Sequence, residues 1–275
     1  MKLLVLGGNG MAGHVLVEYF RTTGKHHVFY TTRDMHVPEG LVLDVLDMNA
    51  VEHVVRMVRP DIIINAVGIL NKAAEENKIN AYHVNGFLPH RLRYLADKIS
   101  ARLIHISTDC VFLGTKGGYR EDDLPDGVSA YAVTKALGEI DDPNHLTIRT
   151  SIIGPEIRQS GIGLFQWFMK QRGEVSGYRA VKWNGVTTLE LAKAIDFFMT
   201  KDVGGLIHLA SPNPLSKYEL LRLFQDIWSK DDVIIVPTDD VVQDRTLRST
   251  RLDAAYPVPD YPAMLKEMYE WQQTN

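Results

Sequence analysis

The chain has 275 residues, enough for one large domain or for a large and a small one. Its 45% hydrophobic and 23% charged residues are typical of a globular protein, and a net charge of −4 argues against a nucleic-acid partner. The single cysteine, Cys110, excludes an internal disulfide and fits a reducing compartment. The longest apolar run, residues 62–70, is too short to cross a bilayer. We therefore expect a cytoplasmic protein without a membrane partner.

The first half of the chain alternates predicted strands with predicted helices. The predicted strands are residues 2–6, 27–31, 41–44, 61–67, 102–107 and 145–150. The predicted helices are residues 11–20, 48–58, 79–99 and 131–139. This alternation favours an α/β fold of the Rossmann type, a doubly wound parallel sheet with helices on both faces.

The second half is less regular. Predicted helices are residues 189–200, 217–229 and 261–273, and predicted strands are residues 206–210 and 233–236. Prolines become frequent near the C terminus, which indicates loops. We therefore predict a large domain over residues 1–155, to which residues 186–210 return, and a smaller region over residues 156–275.

A glycine-rich turn, Gly7-x-x-Gly10-x-x-Gly13, follows the first predicted strand and precedes the first predicted helix. Glycine permits a tight turn and close approach of phosphates, and the helix N-terminus supplies free N–H groups for a pyrophosphate. An ordinary turn could contain the same glycines, but their position directly after an N-terminal strand favours a dinucleotide site.

The end of the second predicted strand bears on the choice of dinucleotide. An acidic residue there usually holds a ribose 2′-hydroxyl, whereas an arginine accommodates a 2′-phosphate. The chain has Thr31, Thr32 and Arg33 before Asp34, so we expect NADP(H) rather than NAD(H). The alternative is that Arg33 is a solvated loop residue and Asp34 reaches the ribose.

Tyr131 and Lys135 are four residues apart on a predicted helix, which places both side chains on one face. A neighbouring ammonium favours phenolate and so is expected to lower the pKa of Tyr131. Such a tyrosine could exchange a proton with a substrate oxygen. Tyr-x-x-x-Lys alone is common by chance, so its meaning depends on the segments around it.

Six segments together resemble the extended short-chain dehydrogenase/reductase family, and most closely its dTDP-4-dehydrorhamnose reductase group of nucleotide-sugar reductases. They are GGNGMAG at 7–13, NAVG at 65–68, ISTDCVF at 106–112, YRE at 119–121, YAVTKALGE at 131–139 and RTSIIG at 149–154. The resemblance covers most of the chain and is densest in the first 155 residues. It implies an NAD(P)-binding Rossmann domain followed by a region that mainly binds substrate.

The resemblance implies roles for individual residues. Thr108 would hydrogen-bond the substrate carbonyl, Tyr131 would be the general acid, and Lys135 would bind the nicotinamide ribose. The residues implied to contact the cofactor are Gly7, Asn9, Gly10, Met11, Gly13, Thr32, Arg33, Asp44, Val45, Ala66, Val67, Gly68, Asn85, Ser107, Tyr131, Lys135 and Ile153. The implied reaction is NADPH-dependent reduction of the C4 ketone of a nucleotide-linked deoxysugar, in the synthesis of sugars for cell-surface polysaccharides.

The implied substrate side is less clear. Thr108, Asp109 and Cys110 would contact the sugar, and Cys110 replaces the tyrosine usual in the group. A cysteine at this offset assists epimerisation in GDP-fucose synthase-like relatives, but we favour a small buried side chain here. The absence of an acidic pair after Thr108 makes elimination chemistry unexpected.

Two segments further along the chain resemble substrate-binding parts of the group. Arg245 or Arg248 could pair with the substrate diphosphate, or both could belong to a basic surface loop. Trp183 could stack on a base or sugar, or lie in the core. The histidines show no metal-ligand spacing, so we expect no metal.

Two other functions remain open at this point. A 4-epimerase uses the same three catalytic residues and recycles its bound nicotinamide. A non-catalytic NADP-binding regulatory subunit is the other alternative, since the beta subunit of methionine adenosyltransferase resembles the same reductases. Members of the family often dimerise, so a homodimer is a further expectation.

Overall fold

The computed structural model describes residues 1–37, 39–157 and 161–274. The strands are β1 (Lys2–Leu6), β2 (His27–Thr32), β3 (Leu41–Val42), β4 (Ile62–Asn65), β5 (Arg102–Thr108), β6 (Leu146–Thr150), β7 (Ile152–Ile153), β8 (Gly173–Tyr178), β9 (Val181–Trp183), β10 (Val186–Thr187), β11 (Gly205–His208), β12 (Leu215–Ser216), β13 (Val233–Thr238) and β14 (Gln243–Asp244). The helices are α1 (Met11–Thr22), α2 (Met48–Val58), α3 (Asn71–Glu76), α4 (Lys78–Ala81), α5 (Leu88–Lys98), α6 (Ala130–Leu137), α7 (Leu164–Lys170), α8 (Thr188–Met199), α9 (Lys217–Ile227) and α10 (Tyr261–Thr274).

Seven strands form a central parallel sheet in the order β11-β6-β5-β4-β1-β2-β3. The order reverses at β1, because the chain continues to β2 and β3 on one side and to β4, β5 and β6 on the other. In doubly wound sheets, ligands bind beyond the carboxyl ends of the strands at such a reversal. The predicted Rossmann-type fold is confirmed, and its topology marks the ends of β1 and β4 as the place for a ligand.

The central strands are apolar on both faces because both faces are covered. Along β1, Leu3 and Val5 pack into one core cluster and Leu4 and Leu6 into another. The first cluster also contains side chains of α1 and α8, and the second contains those of α2 and α5. Full burial of an aliphatic side chain stabilises by roughly 1.5–3 kcal/mol relative to exposure. The sheet is therefore a rigid platform for the loops at its carboxyl edge.

The prediction of one continuous helix over residues 79–99 is wrong. The structure has α3 and α4, then a π-helical turn at Tyr82–Phe87, and then α5. Asn77 begins α4 by accepting a hydrogen bond from the N–H of Asn80. Pro89 is tolerated in the first turn of α5, where the missing N–H has no helical partner. The π-helical turn carries Asn85, which lies behind the ligand cleft.

The C-terminal half contains more regular structure than predicted, in three small sheets that pair β7 with β10, β8 with β13, and β9 with both β12 and β14. Ser216 and Glu219 form a capping box that begins α9. A separate apolar cluster joins the segment after β5 to the segment after β14, through Val111, Phe112, Tyr119 and Leu247. This cluster brings residues near 110 and 245 together. The predicted division at residue 155 stays a prediction.

The described residues include no helix that is both long and apolar enough to cross a membrane.

Candidate active site

Two adjoining cavities lie at the carboxyl edge of the central sheet, with volumes of about 410 Å³ and about 200 Å³. Both are lined by Asn9, Gly10, Ala66, Val67 and Gly68. Because these residues follow β1 and β4, the two cavities form one cleft across the reversal of strand order. This is where the topology places a dinucleotide.

The glycine-rich turn has the geometry that the sequence indicates. Gly7 has φ +83°, which favours glycine, and a Cβ on Gly13 would lie 2.0 Å from the Gly7 carbonyl oxygen. The first N–H groups of a helix have no acceptor within the helix. α1 starts after Gly10 without a side-chain cap, so no capping side chain meets these groups either. Met11 and Ala12, in this first turn, line the larger cavity. The turn therefore offers free donors to an anion such as a pyrophosphate.

The smaller cavity holds the residues expected at the adenosine end of a dinucleotide. Thr32, Arg33, Asp44 and Val45 all line it. The Thr32 hydroxyl accepts hydrogen bonds of 3.0 Å from the Asn9 amide and from the N–H of Asp34. Arg33 is exposed and lines this cavity, and among the described residues no hydrogen bond or ion pair engages its guanidinium.

The carboxylate of Asp34 is engaged within its own loop. It accepts a 2.9 Å hydrogen bond from the N–H of His36, and Asp34 is not among the residues that line the cavity. The arrangement fits a 2′-phosphate beside Arg33 better than a ribose 2′-hydroxyl held by Asp34.

Thr108, Tyr131 and Lys135 all line the larger cavity. Thr108 ends β5, and Tyr131 and Lys135 lie one turn apart on α6, which Ser129 caps by accepting the N–H of Ala132. The Thr108 hydroxyl donates to a carboxylate oxygen of Asp109 at 3.1 Å and accepts the N–H of Cys110 at 3.1 Å. The fold thus brings together three polar groups that are separated by 27 residues of sequence.

The expected lowering of the Tyr131 pKa is wrong for this structure. Tyr131 is half-buried, and burial raises its pKa. The neighbouring Cys110 and Asp109 raise it further, while a hydrogen bond with Thr108 opposes them. The Lys135 ammonium group instead donates to the carbonyl oxygen of Ile106 at 2.7 Å. At neutral pH the phenol of Tyr131 therefore keeps its proton.

Lys135 is buried, and burial lowers its pKa to about 8, with Glu139 acting in the opposite direction. His105 lies beside it, with Nε2 3.5 Å from the Lys135 Nζ atom. Burial and the charge of Lys135 hold the pKa of His105 well below its usual range, so the imidazole is neutral.

The tautomer of His105 follows from its other neighbour. The side-chain oxygen of Asn65 accepts the N–H of Val67 at 3.2 Å, which turns the Asn65 amide nitrogen towards His105 Nδ1 at 3.1 Å. Because that nitrogen donates, Nδ1 accepts and the ring proton is on Nε2. The N–H of Nε2 then faces Lys135, which disfavours the ammonium form of the lysine.

Asn85 does not face the cleft, contrary to the expectation that it contacts the cofactor. It is fully buried; its amide oxygen accepts the N–H of Ile69 at 2.8 Å, and its amide nitrogen donates to the Ile69 carbonyl and the Thr134 hydroxyl. Asn85 therefore ties the loop after β4 to α6, and it fixes the cleft wall rather than a ligand.

A buried ion pair supports the end of β5. Arg149 donates two hydrogen bonds of 2.7 Å to Glu139, and the Ser107 hydroxyl donates to the same carboxylate at 2.7 Å. Ser107 lines the cavity, as does Ile153, but the Ser107 hydroxyl is engaged below it. A fully hydrogen-bonded buried pair of this kind fixes geometry more than it adds stability.

Asp109, Cys110, Trp183 and Lys217 also line the larger cavity. Burial, together with the charge of Asp109, raises the pKa of the half-buried Cys110 to about 12, so the group is a thiol at neutral pH. Burial also raises the pKa of Asp109. A thiol in this state is a poor base, which disfavours a role in epimerisation.

Trp183 both lines the cavity and belongs to the core. Its indole N–H donates to the Ser151 hydroxyl at 2.9 Å, and its ring packs on Tyr261. The two sequence interpretations of Trp183 therefore describe different parts of one side chain.

The two arginines of the 244–249 segment differ in position. Arg245 lies against Cys110, to whose sulfur its Nη1 donates at 3.6 Å, and its Nε is buried without a hydrogen-bond partner in the described structure. Arg248 is exposed, and neither arginine is among the residues that line the two cavities, so contact with substrate stays a prediction for both.

Sequence reasoning missed two polar residues of this site, His105 and Lys217. His105 occupies an ordinary strand position, and no spacing links it to Lys135. The capping box at 216–219 indicates a helix start at Lys217 but not the cavity that it faces. Within the described residues, no group of three His, Cys, Asp or Glu side chains could hold a metal ion.

Comparison with known proteins gives a family match over most of the chain. The family model described as the RmlD substrate binding domain matches residues 1–251. The structure of a hypothetical dTDP-4-dehydrorhamnose reductase from Sulfolobus tokodaii is similar with a TM-score of 0.80 and 26% identity, over 94% of this chain and 96% of that one.

Two curated proteins are similar in different ways. Spore coat polysaccharide biosynthesis protein SpsK of Bacillus subtilis is 26% identical over 257 residues, which cover 90% of this chain and 86% of SpsK. Methionine adenosyltransferase 2 subunit beta of Bos taurus is 32% identical over 139 residues. That match covers 50% of this chain and only 41% of the bovine protein.

Proposed function

The chain belongs to the family of the RmlD substrate binding domain, and from this premise we propose that it is an NADPH-dependent reductase of the C4 ketone of a nucleotide-linked deoxysugar. The observation that carries the proposal is the placement of Thr108, Tyr131 and Lys135 in one cavity, continuous with a cleft that fits a dinucleotide. The name of the Sulfolobus tokodaii neighbour supports the same reaction class.

The protonation states suit the direction of reduction. When bound, the nicotinamide cofactor supplies a hydride to the carbonyl carbon. The carbonyl oxygen then needs a proton, which Tyr131 holds because burial raises its pKa. In this proposal the Thr108 hydroxyl would turn from Asp109 to hold that oxygen, and Lys135 would bind the nicotinamide ribose; both residues line the cavity with Tyr131. The residues proposed to hold the rest of the cofactor are those of the glycine turn and of the smaller cavity.

NADP(H) is the favoured cofactor in this proposal. Arg33 lines the smaller cavity while the Asp34 carboxylate is engaged by the N–H of His36, so Arg33 offers a cation to a 2′-phosphate. The carboxylate of Asp44, which also lines this cavity, accepts the N–H of Leu46 at 3.0 Å.

A panel of 4-keto dTDP-, UDP- and GDP-sugars tests the reaction by NADPH absorbance and by the configuration of the product at C4. We expect stoichiometric loss of NADPH with at least one substrate. Conversion of a 4-hydroxyl sugar into its C4 epimer without net NADPH loss would identify an epimerase instead. No conversion of any sugar nucleotide would contradict both enzyme functions.

The similarity to methionine adenosyltransferase 2 subunit beta favours one second candidate, a non-catalytic NADP-binding subunit of another enzyme. An affinity purification that returns a stoichiometric enzyme partner, together with no reductase activity across the panel, would select this candidate. Retention of Thr108, Tyr131 and Lys135 in one cavity argues against it.

The biological setting is part of the same proposal. We place the protein in the cytoplasm, in synthesis of sugars for surface polysaccharides, a role that the name of SpsK supports. Cell fractionation and the polysaccharide composition of a deletion strain test these points. The expected homodimer stays a prediction, which sedimentation analysis would decide.

A further inference from the structure

Lys217 lines the larger cavity and, within the described residues, forms no ion pair. It is the first residue of α9, it is half-buried, and it lines the larger cavity together with Thr108 and Tyr131. Across the described ranges no hydrogen bond or ion pair joins it to another residue. Its Nζ atom lies 5.3 Å from the centroid of the Trp183 ring, which is a cation–π contact.

Three other lysines of the chain form close ion pairs. Lys116, Lys193 and Lys230 each place Nζ 2.6 Å from a carboxylate oxygen. For Lys217, the described part of the chain provides a cation–π contact but no such carboxylate, and burial lowers its pKa. Because Lys217 lines the cavity, a ligand that enters would displace water from this ammonium and would have to supply hydrogen-bond acceptors in its place, which an anionic oxygen does.

Asp109 does not fill that role. Its charge favours the ammonium form of Lys217 from a distance, but no oxygen of Asp109 forms an ion pair with it. The carboxylate instead accepts the hydroxyl of Thr108 at 3.1 Å, and it also feels the charge of Arg245. Lys217 and Arg245 thus both act on the single carboxylate of Asp109, which forms an ion pair with neither of them.

The position of Lys217 places it near the reacting end of a substrate. Asp109 and Cys110, which act on its pKa, directly follow Thr108 in the chain and are both hydrogen-bonded to the Thr108 hydroxyl. A group that meets Lys217 would therefore belong to the substrate that Thr108 contacts.

We propose that Lys217 binds an anionic oxygen group of the sugar-nucleotide substrate. This inference rests on the proposed function for the class of substrate. Two parts of a sugar nucleotide can supply anionic oxygens, namely a carboxylate on the sugar, which only acidic sugars carry, and the diphosphate, which all of them carry. The first would make the protein selective for acidic sugars, and the second would make Lys217 part of general nucleotide-sugar binding.

Calorimetric titration with saturating NADP⁺ separates these sources without requiring turnover. The probes are UDP-glucose and UDP-glucuronate, which differ at C6 in the replacement of a hydroxymethyl group by a carboxylate, and the same two sugars on dTDP. The variants are Lys217→Met, which removes the charge, and Lys217→Arg, which keeps it. The control is Lys182→Met, since Lys182 is exposed on β9 next to Trp183.

For Lys217→Met we expect a rise in Kd of about tenfold to a hundredfold, the effect of one charged hydrogen bond. A rise confined to the glucuronates, with tighter wild-type binding of glucuronates than glucoses, identifies the sugar carboxylate. An equal rise for all probes identifies the diphosphate. Lys217→Arg should bind within several-fold of the wild type.

Values of Kd for Lys217→Met within twofold of the wild type for every probe would overturn the inference, as would a wild type that binds no probe. If Lys217→Met does not fold, Lys217→Gln takes its place in the same titration. Failure of the proposed reductase function is read separately, as absence of NADPH oxidation, and leaves these binding constants measurable.

Discussion

The two sides of the cleft are built differently. The cofactor side consists of the glycine turn at residues 7–13 and of Thr32, Arg33 and Asp44, which lie on or directly after β1, β2 and β3. The substrate side consists of Asp109, Cys110, Trp183 and Lys217, which come from three distant segments. Local backbone conformation defines the cofactor side, whereas packing between elements that are distant in sequence defines the substrate side.

This difference explains why specificity is harder to infer than chemistry. A phosphate-binding turn depends on local features such as the positive φ of Gly7 and the space that Gly13 leaves. The substrate side depends on the C-terminal sheets and on the apolar cluster of Phe112, Tyr119 and Leu247. Tyr131 and Lys135 lie where the two sides meet, so their variants have the largest expected effects.

Tyr131→Phe tests the junction of the two sides. Loss of the proton donor should lower kcat by about 10²- to 10⁴-fold, the usual contribution of general acid catalysis. The Kd of NADPH should change less than threefold, because the phenol ring is kept. Steady-state kinetics and a fluorescence titration with NADPH measure the two quantities.

Tyr94→Phe is the matched control for this variant, since Tyr94 is an exposed tyrosine on α5. Its kcat should equal that of the wild type. A Tyr131→Phe enzyme with wild-type kcat would refute the assignment of the proton donor.

Lys135→Met tests how much burial of the Lys135 charge destabilises the folded protein. The folded-state pKa of Lys135 is about 8, below the ordinary value of 10.5. Below about pH 8 the lysine is charged in both states, and the folded protein bears the full cost of burying the ammonium. As the pH rises from about 8 towards 10.5, the folded state loses its proton first and this cost disappears.

The free energy of unfolding of the wild type should therefore rise relative to that of Lys135→Met between pH 7 and pH 10. The total pH-dependent change is about 3 kcal/mol, from the pKa difference at a buried site. Urea unfolding of both proteins at several pH values measures it. Parallel stability curves over this range would show that burial does not perturb Lys135.

The sequence predicted the parts of the site that depend on local pattern. The alternation of strands and helices gave the correct sheet, and the glycine spacing gave the correct turn between β1 and α1. It failed where tertiary structure overrides a local rule. The helical pattern of residues 79–99 is interrupted because the π-helical turn places Asn85 against Ile69 and Thr134.

The error in the Tyr131 pKa has the same origin. Helical spacing correctly places Lys135 one turn from Tyr131, but it does not show that the ammonium donates to the carbonyl oxygen of Ile106 or that burial shifts the pKa values of both side chains. Lys217 was missed because its cavity is assembled from α9, β9 and the end of β5. No pattern within one of these elements indicates the other two.

Arg33→Ala tests the cofactor side alone. Removal of the guanidinium should raise the Kd of NADPH by about tenfold to a hundredfold, because a charged contact with the 2′-phosphate is lost. The Kd of NADH should stay within twofold of the wild type. Arg222→Ala, at an exposed position on α9, is the control.

Equal losses for NADPH and NADH in Arg33→Ala would reject the 2′-phosphate contact. In that case Asp34→Asn should weaken NADH, because the carboxylate would be the group that holds the ribose.

Arg245 and Arg248 provide the smallest and most local test, on the substrate side. The Arg245 guanidinium touches the Cys110 sulfur and has a buried Nε without a hydrogen-bond partner in the described ranges, so a substrate anion would complete its bonding. Arg248 is exposed and joins the fold here through its backbone N–H, which donates to the Tyr119 carbonyl.

Arg245→Ala should therefore lower kcat/KM for the preferred sugar nucleotide by about tenfold, mainly through KM, as expected for loss of one charged contact. Arg248→Ala should stay within twofold of the wild type. Each variant loses one guanidinium group, and the two positions are three residues apart. Each variant is therefore the control for the other. A larger loss in Arg248→Ala would mean that the substrate lies across the exposed face of this segment rather than in the cavity beside Cys110.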